Sequence, residues 1–461
     1  MDDKDKLITL LKEENKRLKE HILKQEERIK ELERRIGLNS NNSSKPPSSD
    51  GLEKVCRTSS LRENGKRKSG GQLGHKGTTL KQVANPYNVE RVKLDSCPNC
   101  HSNLSETQVS SVYKSQVFDM PEITKPIVTE YQFESKVCSN CKKKVTSEKE
   151  NFSKVPVQYG ERIQSTALLL NACNSVPEKR TAAVMRKISK STITSSTIGN
   201  ISKNCAKKVA PVVSEVENKL KTVPVKNADE SGIRVNGKTI WLHVLCNPEF
   251  AFYSVSEKRG DIPTNLIGSV VHDGFVSYYS KLKKVKHALC NAHHLRELKA
   301  VAEIDKERWA QHMSRILKLA CYTVKHHPEE ITVEWKAKFT KLYDSIVKKG
   351  LDYHENIPPL KQKNRGKTKR RPGHNLLLRL QKRREDTLRF LHDFEVPFTN
   401  NSAEQLVRPI KVKQKVSGCF RTFSGAQQFL AIKSYLATAQ KQGHQIMDAL
   451  TFAIKNQPLN F

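Results

Sequence analysis

Two kinds of residue in this chain have the type and spacing to do chemistry: paired cysteines and widely separated acids. Cys97-Pro98-Asn99-Cys100 and Cys138-Ser139-Asn140-Cys141 form a CxxC…CxxC set. Each turn can present two thiolates to one ion, and two turns complete a tetrahedral, all-thiolate site for Zn2+. Residues 111–118 and 127–133 between them have strand character, so 93–160 reads as a zinc ribbon. A redox site needs only one CxxC, and the matched second pair argues for the metal. The acids are Asp229, Asp273 and Glu404. Phosphodiester cleavage can use two Mg2+ (or Mn2+) ions, one at the attacking and one at the leaving oxygen. Such ions require hard oxygen ligands from several carboxylates. Any single acid is far more often a solvated surface charge, so spacing alone does not make a site of these three.

Elements must carry these side chains. Residues 223–228 lead as a strand into Asp229, 239–246 and 250–255 complete a meander, and 269–273 is an apolar run closing on Asp273. A short helix is expected around 264–267, and helix and strand signals resume at 286–298. Glu404 opens a helix rich in Arg408, Lys411, Lys413 and Lys415. An antiparallel meander followed by alternating helix and strand, with acids on the first and fourth strands, is the layout of an RNase-H-like fold. The core then occupies 221–300 and 396–440, interrupted by a helical basic insertion at 301–395 and followed by a tail at 441–461. Upstream, 161–220 is helical. Within it 176–200 reads as two short helices around a turn, capped at Ser195-Ser196-Thr197, which fits a helix-turn-helix or an ordinary hairpin. Cys290-x-x-His293 is half of a metal-ligand set without a second pair, and reads as structural packing; His294 and Arg296 are set to approach substrate.

The N-terminal 38 residues carry a heptad seam: Ile8, Leu11, Asn15, Leu18, Ile22, Gln25, Ile29, Leu32 and Ile36. A self-associating coiled coil accounts for it better than a helix packed on its own domain. Residues 39–92 are a basic low-complexity arm, suited to a phosphate backbone or to a plain linker. The chain has 82 Lys plus Arg against 48 Asp plus Glu, a formal +34 over 461 residues. An excess of this size points to a polyanion partner, most simply nucleic acid. Part of it lies in an acid-free run of Lys and Arg at 361–371 that suits DNA phosphates. No apolar run is long enough to span a membrane, and the acidic start is no secretory signal. The eleven cysteines therefore imply no disulfide framework.

The chain resembles the insertion sequence 66 family of bacterial DDE transposases over nearly its whole length. The resemblance is carried by Leu38-Asn39-Ser40-Asn41-Asn42-Ser43-Ser44-Lys45-Pro46-Pro47-Ser48-Ser49-Asp50, Gly70-Gly71-Gln72-Leu73-Gly74-His75-Lys76-Gly77 and the paired CxxC. It continues through Ala228-Asp229-Glu230-Ser231-Gly232, Trp241-Leu242-His243, His272-Asp273-Gly274, Cys290-Asn291-Ala292-His293-His294-Leu295-Arg296, Asn400-Asn401-Ser402-Ala403-Glu404 and Gly418-Cys419-Phe420-Arg421. Ser231, Thr399 and Gln405 stand where Thr, Asp and Arg are usual. The resemblance implies Asp229, Asp273 and Glu404 as catalytic ligands of Mg2+. It also implies binding of terminal inverted repeats and target DNA, homo-oligomers, accessory transposition proteins in some relatives, and a bacterial cytoplasmic, nucleoid-associated setting. The expected class is thus multidomain α+β: coiled coil, zinc ribbon, helical DNA-binding segment and RNase-H-like catalytic domain. A non-catalytic zinc-ribbon DNA-binding regulator and an RNase-H-fold nuclease are the alternatives.

Overall fold

The computed structural model describes residues 3–39, 42–43, 82–118, 126–147, 156–358 and 370–461. The chain divides into two units, 57–126 and the remainder (1–56 with 127–461). Most of the basic arm, including 70–77, and most of the basic run at 361–371 lie outside the described residues.

In the smaller unit the first CxxC is a tight turn. The Cys97 N–H donates to the Ser102 carbonyl (2.9 Å), and the His101 N–H to the Cys97 carbonyl (2.8 Å), with His101 at φ 57°. The strand expected at 111–118 is not formed. Val112, Tyr113 and Val117 are exposed, and β-propensity without a surface to pack against does not make a ladder. Instead the Gln116 amide exchanges two hydrogen bonds, both 2.8 Å, with the backbone of Val83.

The larger unit opens with helix α1 (Asp3–Gly37). Asn42 ends it: its Nδ2 donates to the Gly37 carbonyl at 2.8 Å and its Oδ1 accepts from the Asn39 N–H at 2.8 Å. The second CxxC sits in a hairpin of β1 (Ser135–Val137) and β2 (Lys144–Thr146). The ladder therefore flanks Cys138 and Cys141 rather than occupying 127–133. This turn repeats the first, Cys138 N–H to Lys143 O and Lys142 N–H to Cys138 O (both 2.9 Å), with Lys142 at φ 56°.

Next come α2 (Glu161–Leu168), continued by a π-helical turn, then α3 (Glu178–Ser189) and α4 (Ser195–Thr222). The second helix of the expected hairpin is not short. Its 28 residues bury Ile198, Val209, Val213 and Val216, and Thr194, one residue before the expected cap, accepts the Thr197 N–H at 3.2 Å.

Five strands follow in one sheet: β3 (Val225–Val235), β4 (Lys238–Cys246), β5 (Ala251–Ser256), β6 (Ser269–His272) and β7 (Lys286–Leu289). Their order is β5-β4-β3-β6-β7. The first three are antiparallel, while β6 runs parallel to β3 and β7 parallel to β6. Asn236 and Gly237, both at positive φ, make the tight turn from β3 to β4. The helix expected at 264–267 is absent: Asn265 is left-handed at φ 58°, and Ile262 and Leu266 plug the core as loop residues. A helix forms instead after β6, α5 (Val276–Lys281).

Helix α6 (Asn291–Glu303) leads into the insertion, α7 (Arg308–His326), α8 (Val333–Glu355), α9 (Pro372–Lys382) and α10 (Arg384–His392). These helices share one apolar cluster with Val271 and Ala288 of the sheet, so the insertion is packed on the core. Gly350 marks where α8 meets α9: a Cβ there would lie 2.7 Å from Leu377 Cδ2 and 3.1 Å from the Trp309 ring. Gly350→Ala should destabilise the protein by about 1–3 kcal/mol through overpacking, although alanine is the better helix former. Denaturant titration measures it, and an unchanged or raised midpoint counts against this crossing. The chain closes with α11 (Asn401–Ser417), α12 (Phe423–Lys441) and α13 (Ile446–Ile454). The expected tail is no tail: Ala449, Leu450 and Ala453 are fully buried with α2 and α4 in the cluster that covers one face of β3, β4 and β5.

Candidate active site

The β3–β6 ladder ends at Asn227↔Val271. Asp229 and Asp273 lie two residues beyond that last pair, where the strands part. A cleft at the carboxyl ends of parallel strands, beside the point where the sheet changes direction, is where open α/β sheets bind ligands. Glu404 comes from the first turn of α11, where the helix dipole favours a carboxylate.

One buried asparagine ties the three acids together. Asn400, 1% exposed, is the N-cap of α11, yet its side chain does not cap that helix. Its Nδ2 donates to the Ala228 carbonyl at 2.8 Å, and its Oδ1 accepts from Asn227 Nδ2 at 2.9 Å. Its backbone N–H donates to Cys290 Sγ at 3.1 Å, and its carbonyl accepts the Glu404 N–H at 3.2 Å. The Cys290 N–H in turn donates to the His272 carbonyl at 2.9 Å. Asp229 follows Ala228, Asp273 follows His272, and Glu404 is one turn from Asn400, so each acid hangs from this hub.

The Asp273 turn is braced from behind. Gly274 adopts φ 92°, open to glycine at little cost, and its N–H donates to His272 Nδ1 at 3.0 Å. His272 Nε2 must then carry the proton and donate to His287 Nδ1, 2.9 Å away. Burial, reinforced by His287 and Arg383, drops the His272 pKa to about 3, so the ring is neutral. Asp273 Oδ1 accepts the Phe275 N–H at 2.8 Å, and the residue is exposed to the cleft.

The charges of the acids act on one another. Burial first, then the carboxylates of Glu230, Asp273 and Glu404, push Asp229 up to about 8. Glu404 Oε1 is buried without a hydrogen-bond partner, as is His293 Nδ1. An acid made costly by like charge, beside an orphaned carboxylate oxygen, is a donor set that a hard cation would relieve.

The neighbours of the acids match the sequence expectation in part: Arg296 approaches them as expected, His294 does not. Arg296 reaches to 3.9 Å from Glu404 Oε1, so α6 supplies a cation where Gln405 does not. His293, and not His294, faces the acids: His294 is buried, with its Nδ1 on Asn291 Oδ1 at 3.1 Å. Glu230 turns away from Asp229, as strand alternation requires. It accepts from Arg259 (2.8 and 3.1 Å) and Tyr278 (2.8 Å), with the Arg259 guanidinium 4.0 Å from the Phe275 ring. Of the four cations expected on α11, two are used internally: Lys411 donates to the Gly232 carbonyl, and Lys413 is buried beside the Phe429 ring. Arg408 and Lys415 stay exposed.

The fold is thus a mixed α/β one, with three linked acids at the mouth of the sheet's parallel pair. The profile of the Transposase IS66 family matches residues 156–428, more than half of the chain, and the chain belongs to that family. A second profile, a family of unknown function (DUF6444), matches 3–81. Among curated proteins none matches significantly. No described helix is long and apolar enough to cross a membrane.

Proposed function

We propose that the chain is a DDE-type DNA transposase that binds the terminal inverted repeats of its element and carries out Mg2+-dependent strand cleavage and strand transfer. The observation that carries this reading is the linkage of Asp229, Asp273 and Glu404 through Asn400, with Asp229 held near pKa 8 by burial and its acidic neighbours. The strand order, with acids on the first and fourth strands of the sheet, supports an RNase-H-like core. Asp229, Asp273 and Glu404 would hold Mg2+ or Mn2+, which would supply Lewis-acid stabilisation of the phosphoryl-transfer reaction. Asp229, protonated at neutral pH while no cation is bound, would release that proton to solvent on holding one. Glu404 is oriented by the α11 N-terminus, and Arg296 beside it is placed to meet a phosphate oxygen. Water, then a DNA 3′-hydroxyl, serves as nucleophile, and no covalent protein–DNA intermediate is needed.

The two CxxC turns, alike in hydrogen bonding and in their left-handed fifth residue, support zinc knuckles formed by Cys97 and Cys100 and by Cys138 and Cys141. Metal analysis should show zinc lost from Cys138→Ser; unchanged stoichiometry would reject the assignment. The apolar seam of α1 is exposed along its length, Ile8, Leu11, Leu18, Ile22 and Ile29 included, as expected of a helix that pairs with another copy. Replacing Leu18 and Ile22 together by Glu should reduce the mass in light scattering to that of one chain. Persistence of the larger species would exclude pairing through α1.

The function itself is tested by incubating full-length protein with end-containing DNA, target DNA and Mg2+. A transposase yields joined products. Cuts without joining would indicate a nuclease, and binding without cuts a regulator.

A further inference from the structure

We propose that Cys290 Sγ, a ring nitrogen of His293 and a carboxylate oxygen of Glu404 form a second metal site, for a thiolate-binding cation such as Zn2+ or Co2+. The three ligand atoms lie within 4.8 Å of one another. Their convergence is built into the backbone. Cys290 is the N-cap of α6, and its carbonyl accepts the His293 N–H at 3.1 Å, so both side chains leave one turn. Glu404 arrives on α11, whose N-cap Asn400 is fastened to Cys290 Sγ by its own N–H. The same contact that positions Glu404 for the acid trio thus also brings it to the thiol.

His293 Nδ1 and Glu404 Oε1 are the two atoms of this region left buried without a hydrogen-bond partner. They stand 3.8 Å apart, too far to bond each other. Two ligands on one tetrahedral ion with bonds of about 2.0–2.3 Å are separated by roughly 3.3–3.6 Å, so a small contraction closes the set. Thiolate, imidazole and carboxylate together do not suit Mg2+, which takes oxygen. They match Zn2+ with a fourth position left to water or a phosphate oxygen. Binding replaces the Cys290 thiol proton, which leaves to solvent. Arg296 is the competing cation at Glu404, and its partly exposed side chain can withdraw as the ion enters. Occupation takes Glu404 from Asp229 and Asp273. On the transposase reading, which this consequence rests on, the site is a brake that a thiol-seeking metal applies to the Mg2+-dependent chemistry.

The test uses the full chain with Cys97, Cys100, Cys138 and Cys141 replaced by Ser, titrated with Co2+ alone. A thiolate-to-cobalt charge-transfer band should saturate at one ion per chain. Adding Cys290→Ser should remove the band. His293→Ala, at a partly exposed side chain, should weaken binding more than about 100-fold, since even outer-shell partners are worth 10–100-fold. Absence of the band, or its survival in Cys290→Ser, overturns the proposal. Asp229→Asn in the same background should keep the band, since Asp229 is not a ligand. If that variant also nicks DNA normally, the transposase mechanism fails while the second site stands.

Discussion

Asp229→Asn is expected to lower Mg2+-dependent nicking of end-containing DNA at least about 10³-fold, leaving DNA binding intact. Removing a single fixed group that stabilises transition-state charge already costs 10²–10³-fold, and Asp229 is proposed to hold the cation itself. The same substitution has an opposite effect on stability that a surface acid would not show. The ordinary Asp pKa is 3.8, and Asp229 is raised to about 8. Between these values the folded chain keeps a proton that the unfolded chain releases, so stability from this group falls as pH rises from about 4 to about 8. Without divalent ions, Asp229→Asn should therefore melt higher than the parent at pH 8, by a few kcal/mol at most, with the difference vanishing near pH 4. Mg2+ should raise the parent's melting temperature and leave that of the variant almost unmoved. Equal melting at every pH, with full nicking, would remove Asp229 from the site.

The second large effect concerns a residue that touches no substrate. Asn400→Ala takes the partner from the Ala228 carbonyl and from Asn227 Nδ2, both at a buried position. Each unsatisfied buried group costs about 1–3 kcal/mol, so a loss of about 2–5 kcal/mol is expected in chemical denaturation. The acids also lose their common anchor, and a displacement of about 1 Å at a reacting centre is worth about 10²-fold. A destabilised but folded chain would keep its dependence on Mg2+, whereas loss of positioning raises the concentration needed for half-maximal nicking. Measured at a temperature where the variant is folded by circular dichroism, an unchanged Mg2+ dependence would reduce Asn400 to a packing residue. Asn400→Asp should not rescue, because it returns the acceptor for Asn227 but not the donor for Ala228.

Much of the region around the three acids was legible because its signals are local. A β-rich run marked β4, with β5 completing the meander, the apolar run before Asp273 marked β6, and the polar cluster before Glu404 marked the start of α11. The failures were also physical. Strand-like residues at 111–118 do not pair, since they have no apolar layer to cover. The expected helix at 264–267 gives way to a loop whose apolar side chains are worth more in the core than in a helical turn. The terminal stretch read as a tail buries α13, because its apolar face completes a cluster made by α2 and α4, far earlier in the chain.

The sequence by itself determined which chemistry was available: three separated acids, two CxxC turns, a heptad seam and a charge of +34. Only the tertiary structure decided how the acids are held, because the hydrogen bonds of Asn400 to residues 227, 228 and 290 span more than a hundred positions that no local pattern records. It also decided which cations remain free for a polyanion. Lys411 and Lys413 look like Arg408 and Lys415 in the sequence, but Lys413 lies on the opposite side of the helix, buried beside Phe429, and Lys411 is drawn onto the Gly232 carbonyl, while Arg408 and Lys415 stay exposed.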